Sequence, residues 1–358
     1  MKANLVIFAL LLGFSSFGQS DSSKRNWKLS GYIEAYYGID AENGINKTRP
    51  SFLYSYNRNR QLNLNLGFIK WAFDNNKIRS NVALMAGTYS TANLSGEPGF
   101  LKNVFEANIG IKLTGNKNLW LDAGVFPSHI GFESAIGKDC WTLTRSILAE
   151  NSPYYESGIK LSFVTNDNKW ILTALVLNGW QHIKPPSGYT SLAFGHQVVF
   201  KPNDKILFNS SSFIGVDAPD SAKVLRLFHN LYSQIQVSEN IGFIIGLDLG
   251  AQQKQAAKSQ YDLWVAPIVM TRLRLHKKIH TALRGEYYSD PENVIISKSA
   301  FGKFKTYGFS INVDYQLFKN TLWRFEARTL RSKEDIYDWN NGKRDFYNSF
   351  TSSLAVSF

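Results

Sequence analysis

Segment after segment of this chain alternates apolar and polar side chains with a period of two, and the connections between the segments alternate as regularly between short and long. A period of two sends successive side chains to opposite faces of a sheet. Phe105, Ala107, Ile109, Ile111 and Leu113 alternate with Glu106, Asn108, Gly110 and Lys112, and Tyr307, Phe309, Ile311, Val313 and Tyr315 oppose Ser310, Asn312, Asp314 and Gln316. Short polar turns such as Asp74-Asn75-Asn76-Lys77, Asn166-Asp167-Asn168-Lys169 and Phe318-Lys319-Asn320 have the composition of hairpin turns, where Asn, Asp and Gly tolerate positive φ. Seven such turns and eight longer links, at about 39–59, 89–102, 127–153, 180–190, 216–222, 253–259, 289–302 and 332–344, join about sixteen strands.

An even strand count with both chain ends on the short-turn side is what an all-β, transmembrane, antiparallel up-and-down barrel requires, with short periplasmic turns and long extracellular loops. Segments of 9 to 15 residues suit a tilted membrane crossing better than the ~5 to 6 usual in globular sheets. The chain is rich in aromatics (14%) and poor in charge (19%), and its aromatic residues sort by connection length. Trp27, Trp71, Trp120, Trp170, Phe208, Phe318, Trp323 and Phe358 fall near short turns; Tyr37, Tyr89, Phe126, Tyr154, Phe213, Tyr287 and Tyr288 fall near long loops. That sorting predicts two girdles at the lipid boundaries, which a secreted β-sandwich would have no reason to show.

At the N-terminus Lys2 precedes an apolar run, Leu5 to Leu12, and then Ser16-Phe17-Gly18. This predicts a signal peptide over 1–18, cleaved between Gly18 and Gln19, leaving 19–358 as a single barrel domain. The run is too short to cross hydrocarbon as a helix, which takes ~20 residues. Cys140 is the sole cysteine, so there is no internal disulfide and no lipid-modified cysteine at the cleavage point.

The net charge of +12 does not point to nucleic acid, because much of the basic excess sits in the short turns at Lys77, Lys117, Lys169, Lys205, Lys277, Lys278 and Lys319. On the polar face nine bases (Lys28, Lys112, Lys160, Arg226, Arg272, Arg274, Arg284, Arg324, Arg328) balance nine acids (Glu34, Glu106, Asp122, Glu156, Asp248, Asp262, Glu286, Asp314, Glu326). The six histidines are scattered, and no nucleophile elbow, P-loop, dinucleotide fingerprint or zinc-protease motif occurs. The expectation is a chain that is no enzyme and carries neither cofactor nor metal.

The third long link, 127–153, carries His129, Glu133, Lys138, Asp139, Arg145 and Glu150 together with a helical-looking apolar stretch, Cys140 to Leu148. A link of this length is usually functional or disordered, and this one has too many large apolar residues for a solvated tail. Folded inward, it buries Ile130, Phe132, Ile136, Trp141, Leu143, Ile147 and Leu148 and leaves its charges around an eyelet. An external cap or a partner-binding loop is the other arrangement open to it.

Several runs also carry a family resemblance. Phe126-Pro-Ser-His-Ile-Gly-Phe-Glu133-Ser, Asp139-Cys-Trp-Thr-Leu-Thr-Arg145-Ser and Ala149-Glu-Asn-Ser-Pro-Tyr-Tyr-Glu-Ser-Gly158 resemble the OmpL-like, second type of β-barrel porin. Ser30-Gly-Tyr-Ile-Glu-Ala-Tyr-Tyr37 and Asn63-Leu-Asn-Leu-Gly-Phe68 are similar to it as well, and the likeness is best from about 30 to 180. The closing Leu354, Val356 and Phe358 resemble the signal by which outer-membrane barrels are recognised for insertion, which implies the barrel-assembly machinery as a partner.

Together these readings predict an outer-membrane porin of a Gram-negative cell, in contact with lipid and lipopolysaccharide, passing small hydrophilic solutes by diffusion, with a homo-oligomer open to it. The expected constriction is Glu133, Lys138, Asp139, Arg145 and Glu150 from the link facing Arg272, Arg284, Arg324 and Arg328 from the wall. A closed barrel acting as a surface adhesin or assembly protein, and a barrel-embedded hydrolase, are the alternative classes.

Overall fold

In a computed structural model, residues 26–41, 47–256, 258–296, 303–339 and 342–358 are described; the expected signal peptide and its cleavage point lie outside them. Sixteen strands close one antiparallel barrel: β1 Trp27–Asp40, β2 Leu62–Asp74, β3 Ile78–Ala86, β4 Val104–Lys112, β5 Asn118–Pro127, β6 Tyr155–Val164, β7 Trp170–Leu177, β8 Ala193–Asn203, β9 Ile206–Val216, β10 Leu225–Gln236, β11 Ile241–Gln253, β12 Tyr261–His276, β13 Ile279–Asp290, β14 Phe304–Phe318, β15 Thr321–Ser332 and β18 Phe346–Ser357. The expected number is the number found. The final long link, read as irregular, holds a small hairpin of its own, β16 Tyr337–Trp339 and β17 Gly342–Arg344.

Each strand pairs with its neighbours in sequence, and β1 closes the cylinder against β18 from Tyr32↔Ser357 to Asp40↔Ser349. Closure leaves no edge, so each strand has a hydrogen-bonded neighbour on both sides, as a wall in lipid demands. The C-terminus seals the seam: Gly31 and Phe358 exchange backbone hydrogen bonds of 2.8 and 3.0 Å, and the Phe358 ring lies where a Cβ on Gly31 would stand. A side chain at position 31 would have to push that ring aside.

The short turns form for the reason their sequences suggest. In the first, the Asp74 carboxylate accepts from the Asn76 backbone N–H at 2.9 Å, Asn75 accepts from Ile78 N–H at 2.8 Å, and Asn76 takes a φ of 65°. Asn168 does the same at 57°. Both are left-handed positions that asparagine tolerates.

Alternation along the strands appears directly as burial. Leu29 and Ile33 on β1 are 61% and 50% exposed, while Tyr32 and Glu34 are fully buried. Trp71, Ile109, Ile245, Val269, Phe309 and Leu354 continue this outward apolar surface around the cylinder. A belt of that extent is incompatible with water and fits hydrocarbon. Trp27, Trp71, Trp170, Phe208, Phe318, Trp323 and Phe358 are exposed at the short-turn end, as a girdle should be. At the loop end the expectation needs correcting. Tyr37 and Tyr307 face out, but Tyr89, Phe126, Tyr154, Phe213 and Tyr288 are buried inside, where the long loops fold in and give them something to pack on. Trp120 also faces inward, its ring under the Arg79 guanidinium.

Candidate functional site

The link 127–153 folds into the barrel. Ser128 N–H bonds Tyr154 C=O at 3.0 Å to close its base, and its first limb then runs along β8, β9 and β10. His129 Nε2 lies 2.8 Å from the Ser212 carbonyl, Gln197 Nε2 donates to the His129 carbonyl at 2.9 Å, and Gly131 N–H donates to Asn230 at 3.2 Å. Burial holds His129 down at a pKa of about 4, so its ring is neutral here. The loop next reaches β1, where Lys138 N–H donates to the Tyr32 hydroxyl.

Its return limb is held by β13, β14 and β15. On β13 Arg284 and Glu286 are two apart, and on β15 Arg324, Glu326 and Arg328 stand at the same spacing, so all five face the lumen. Ser310 of β14 lies opposite both Arg284 and Arg328, and its small side chain lets the long ones meet across it. Arg284 pairs with Glu326 at 2.8 Å, Arg328 with Glu286 at 2.6 Å, and Arg324 with Asp314 at 2.7 Å. Each arginine also donates to the loop backbone: Arg284 to Thr144 C=O (2.7 Å), Arg324 to Gly137 and Cys140 C=O (2.6 and 2.9 Å), Arg328 to Arg145 C=O (3.1 Å). The acids take the loop's N–H groups, Glu326 from Thr144 and Glu286 from Ile147, while Asn312 takes Leu143.

Inside the loop Arg145 is a staple. Its guanidinium donates to the carbonyls of Ser134, Leu143 and Ala135 at 2.6, 2.8 and 3.1 Å and lies over the Tyr56 ring. Glu133 accepts from Ser146, which caps the short helix Ile147–Glu150. Glu150 accepts from the backbone of Tyr54 and Ser55, tying in the first long loop, and burial raises its pKa to about 7. The stretch Cys140 to Leu148, expected to be helical, is not: only its last two residues join that helix. The rest is irregular because its backbone groups are taken by β13, β14 and β15 instead of by each other.

The nine residues named from the sequence thus fall into two groups. Arg145, Arg284 and Arg324 are wholly buried, and Glu133, Glu150 and Arg328 nearly so, all engaged in holding the loop. Lys138, Asp139 and Arg272 reach water; the first two pair at 3.2 Å on the loop's tip, and Arg272 approaches Asp314 at 4.0 Å.

Open space remains on the far side of the first limb. A cavity of about 220 Å³ lies between the loop and Met85, Val104, Phe105 and Glu106 of the β3 and β4 wall, with Tyr89 from the link that joins those strands. A second, of about 350 Å³, is lined by Glu97, Glu150, Trp180, His182, Asp217 and Arg226, and Tyr155 belongs to the walls of both. Lys70 meets Glu106 at 2.8 Å, Arg79 meets Asp122 at 2.5 Å, and Lys160 lies over the Phe126 ring on the same side of the lumen. Lys70 and Arg79 were absent from the expected lumen charges, although Lys70 between exposed Ile69 and Trp71 has the right parity.

A closed, sixteen-stranded barrel with an apolar belt and a long loop folded through a polar interior is an outer-membrane channel of the porin class. The family model described as "Putative beta-barrel porin-2, OmpL-like" matches residues 26–358, and the chain belongs to that family. No curated protein matches it in sequence. Among solved structures it shares its fold with an anion-selective porin from Comamonas acidovorans (9% identity, TM-score 0.61, 93% of this chain and 99% of that one). It shares it also with the outer membrane channel DcaP of Acinetobacter baumannii (10%, 0.60, 95% and 99%) and with in-vitro folded OmpT of Vibrio cholerae in a trimer form (8%, 0.59, 93% and 99%).

Proposed function

We propose that this porin passes small hydrophilic solutes by passive diffusion along the side of the lumen that the loop leaves free. The observation that carries this reading is the open space beside the loop: two cavities with Tyr155 in both their walls, the first bounded by Glu106, whose carboxylate pairs with Lys70, with Arg79, Asp122 and Lys160 on the neighbouring strands. In that reading these five charges, with Lys138 and Asp139 on the loop's tip and Arg272 on the wall, set the field a solute meets. Glu133, Arg145, Glu150, Arg284, Arg324 and Arg328 set the width by fixing where the loop lies. The work is geometric and calls for neither cofactor nor catalysis. Export through a signal peptide cleaved after Gly18, insertion through the assembly machinery by way of Phe358, and contact with lipid and lipopolysaccharide complete the proposal.

The complete burial of Arg145, Arg284 and Arg324 favours one second reading, a closed barrel serving adhesion or assembly. Single-channel recording in a planar bilayer separates the two. Ohmic steps that scale with bulk salt are expected of the open channel, and folded protein that passes no current would retire it.

A further inference from the structure

The outward face of the barrel is apolar nearly everywhere between its rims, but not on β8, β9 and β10. There His196, Ser212 and His229 stand side by side in register across the three strands, with Ser210 one step along. His196 Nδ1 lies 2.6 Å from Ser212 Oγ, His229 Nε2 lies 3.2 Å from Ser210 Oγ, and the two imidazole rings are 5.8 Å apart. Among the described residues no other imidazole or charged side chain faces outward between the rims; Lys305 and Arg331 stand at the loop-end rim and His276 at the short-turn rim. The wall is also concave here. A groove of about 710 Å³ runs beside the row over Ile214, Leu227, Leu249 and Leu263, and another of about 420 Å³ over Phe200, Phe208, Leu231 and Ile245.

Imidazole and hydroxyl groups facing hydrocarbon leave hydrogen-bonding capacity unused, and acyl chains in the grooves would do nothing for it. Nor does the row make a nucleophilic site: no carboxylate orients either imidazole among the described residues, and the N–H groups of these strands are spent in the ladder. We propose that this wall is the contact between two copies of the chain, the row of one barrel lying against the row of the other. In a membrane all copies stand the same way up, so a two-fold axis along the membrane normal brings each side chain to its own depth on the partner. Imidazole and hydroxyl both donate and accept, so the row is complementary to itself. The grooves on either side receive the partner's apolar side chains.

The test uses the whole folded protein in lipid nanodiscs and in detergent. Leu231→Cys is expected to give a disulfide-linked or short-linker cross-linked pair, whereas Ile33→Cys on the opposite wall is expected to stay single; buried Cys140 remains silent in both. Doubling His196→Leu with His229→Leu is expected to bring the particle mass from two barrels down to one, with greater resistance to heat because the new face suits lipid. A wild-type protein that runs as one barrel in nanodiscs, cross-links as readily through Ile33→Cys, or keeps its mass in the double variant overturns the proposal. A single barrel that still conducts would sink this interface and leave the porin reading intact; a paired barrel without current would do the reverse.

Discussion

Replacing Arg145 with methionine separates a residue that lines the path from one that pins the loop. The guanidinium donates to three loop carbonyls, of Ser134, Leu143 and Ala135, and is fully buried. Methionine restores much of the volume but none of the donors. Leaving a buried polar group unpaired costs ~1–3 kcal/mol, and the Ser134 carbonyl keeps the Cys140 thiol as a second partner, so the low end of that range for the three carbonyls puts the loss at about 3 kcal/mol. At 1.4 kcal/mol per decade, the loop's excursions from its seat become about 100-fold more populated. The barrel wall keeps its ladder, so the variant still inserts. The assay is single-channel recording with proteolysis of the loop in parallel: R145M should show larger, flickering conductance and faster cleavage within 127–153. Unchanged conductance and cleavage would refute the pinning argument. A shifted reversal potential at unchanged conductance would instead return Arg145 to the lining of the path.

Lys160→Glu changes the charge beside the free side of the lumen by two units. At ~5 Å through water a unit charge is worth about 0.8 kcal/mol, so two units favour a cation by about 1.6 kcal/mol and disfavour an anion by as much; the cation-to-anion permeability ratio should rise by roughly two orders of magnitude in dilute salt, and a stationary reversal potential would place the path elsewhere. Glu150 carries a pKa raised by burial to about 7, so the folded loops favour its neutral form. Its stabilising contribution is full below the ordinary carboxylate range and is lost as pH rises through 7. Resistance of the loops to proteolysis should therefore fall from pH 5 to pH 8 in the wild type and stay flatter in Glu150→Gln, and parallel curves would exclude the residue.

What the sequence showed and what it hid divide along a physical line. Strand number, turn positions and the faces of most wall residues follow from local rules, such as the parity that exposes Ile69 and Trp71 and turns Lys70 inward, or the asparagines at 76 and 168 that accept positive φ. That the loop must bury its apolar residues was legible too, but an inward fold and an external cap were both open to it. Which of its charges would meet water was not. Arg145 and Lys138 look alike in the sequence, yet one is enclosed by carbonyls of its own loop and the other stands at the tip. That difference is set by Asn312, Glu326 and Arg324, which lie more than a hundred residues away. The helix expected over Cys140 to Leu148 failed for the same reason, since its backbone partners are on the wall.

The balance of charge on the inner wall follows from this arrangement. A loop crossing a lumen brings peptide groups that no helix or sheet satisfies, and each buried one needs a partner. Its N–H groups call for acceptors and its carbonyls for donors in nearly equal number. The wall meets the first with Glu286, Glu326, Asn312 and Asn230, and the second with Arg284, Arg324, Arg328 and Gln197. Pairing Arg284 with Glu326 and Arg328 with Glu286 across Ser310, and Arg324 with Asp314, makes the burial of these arginines tolerable, because each has an opposite charge beside it. An inner wall of matched acids and bases is therefore what an inward-folded loop demands. It says little about which ions pass, and selectivity rests on the few charges that the loop does not cover.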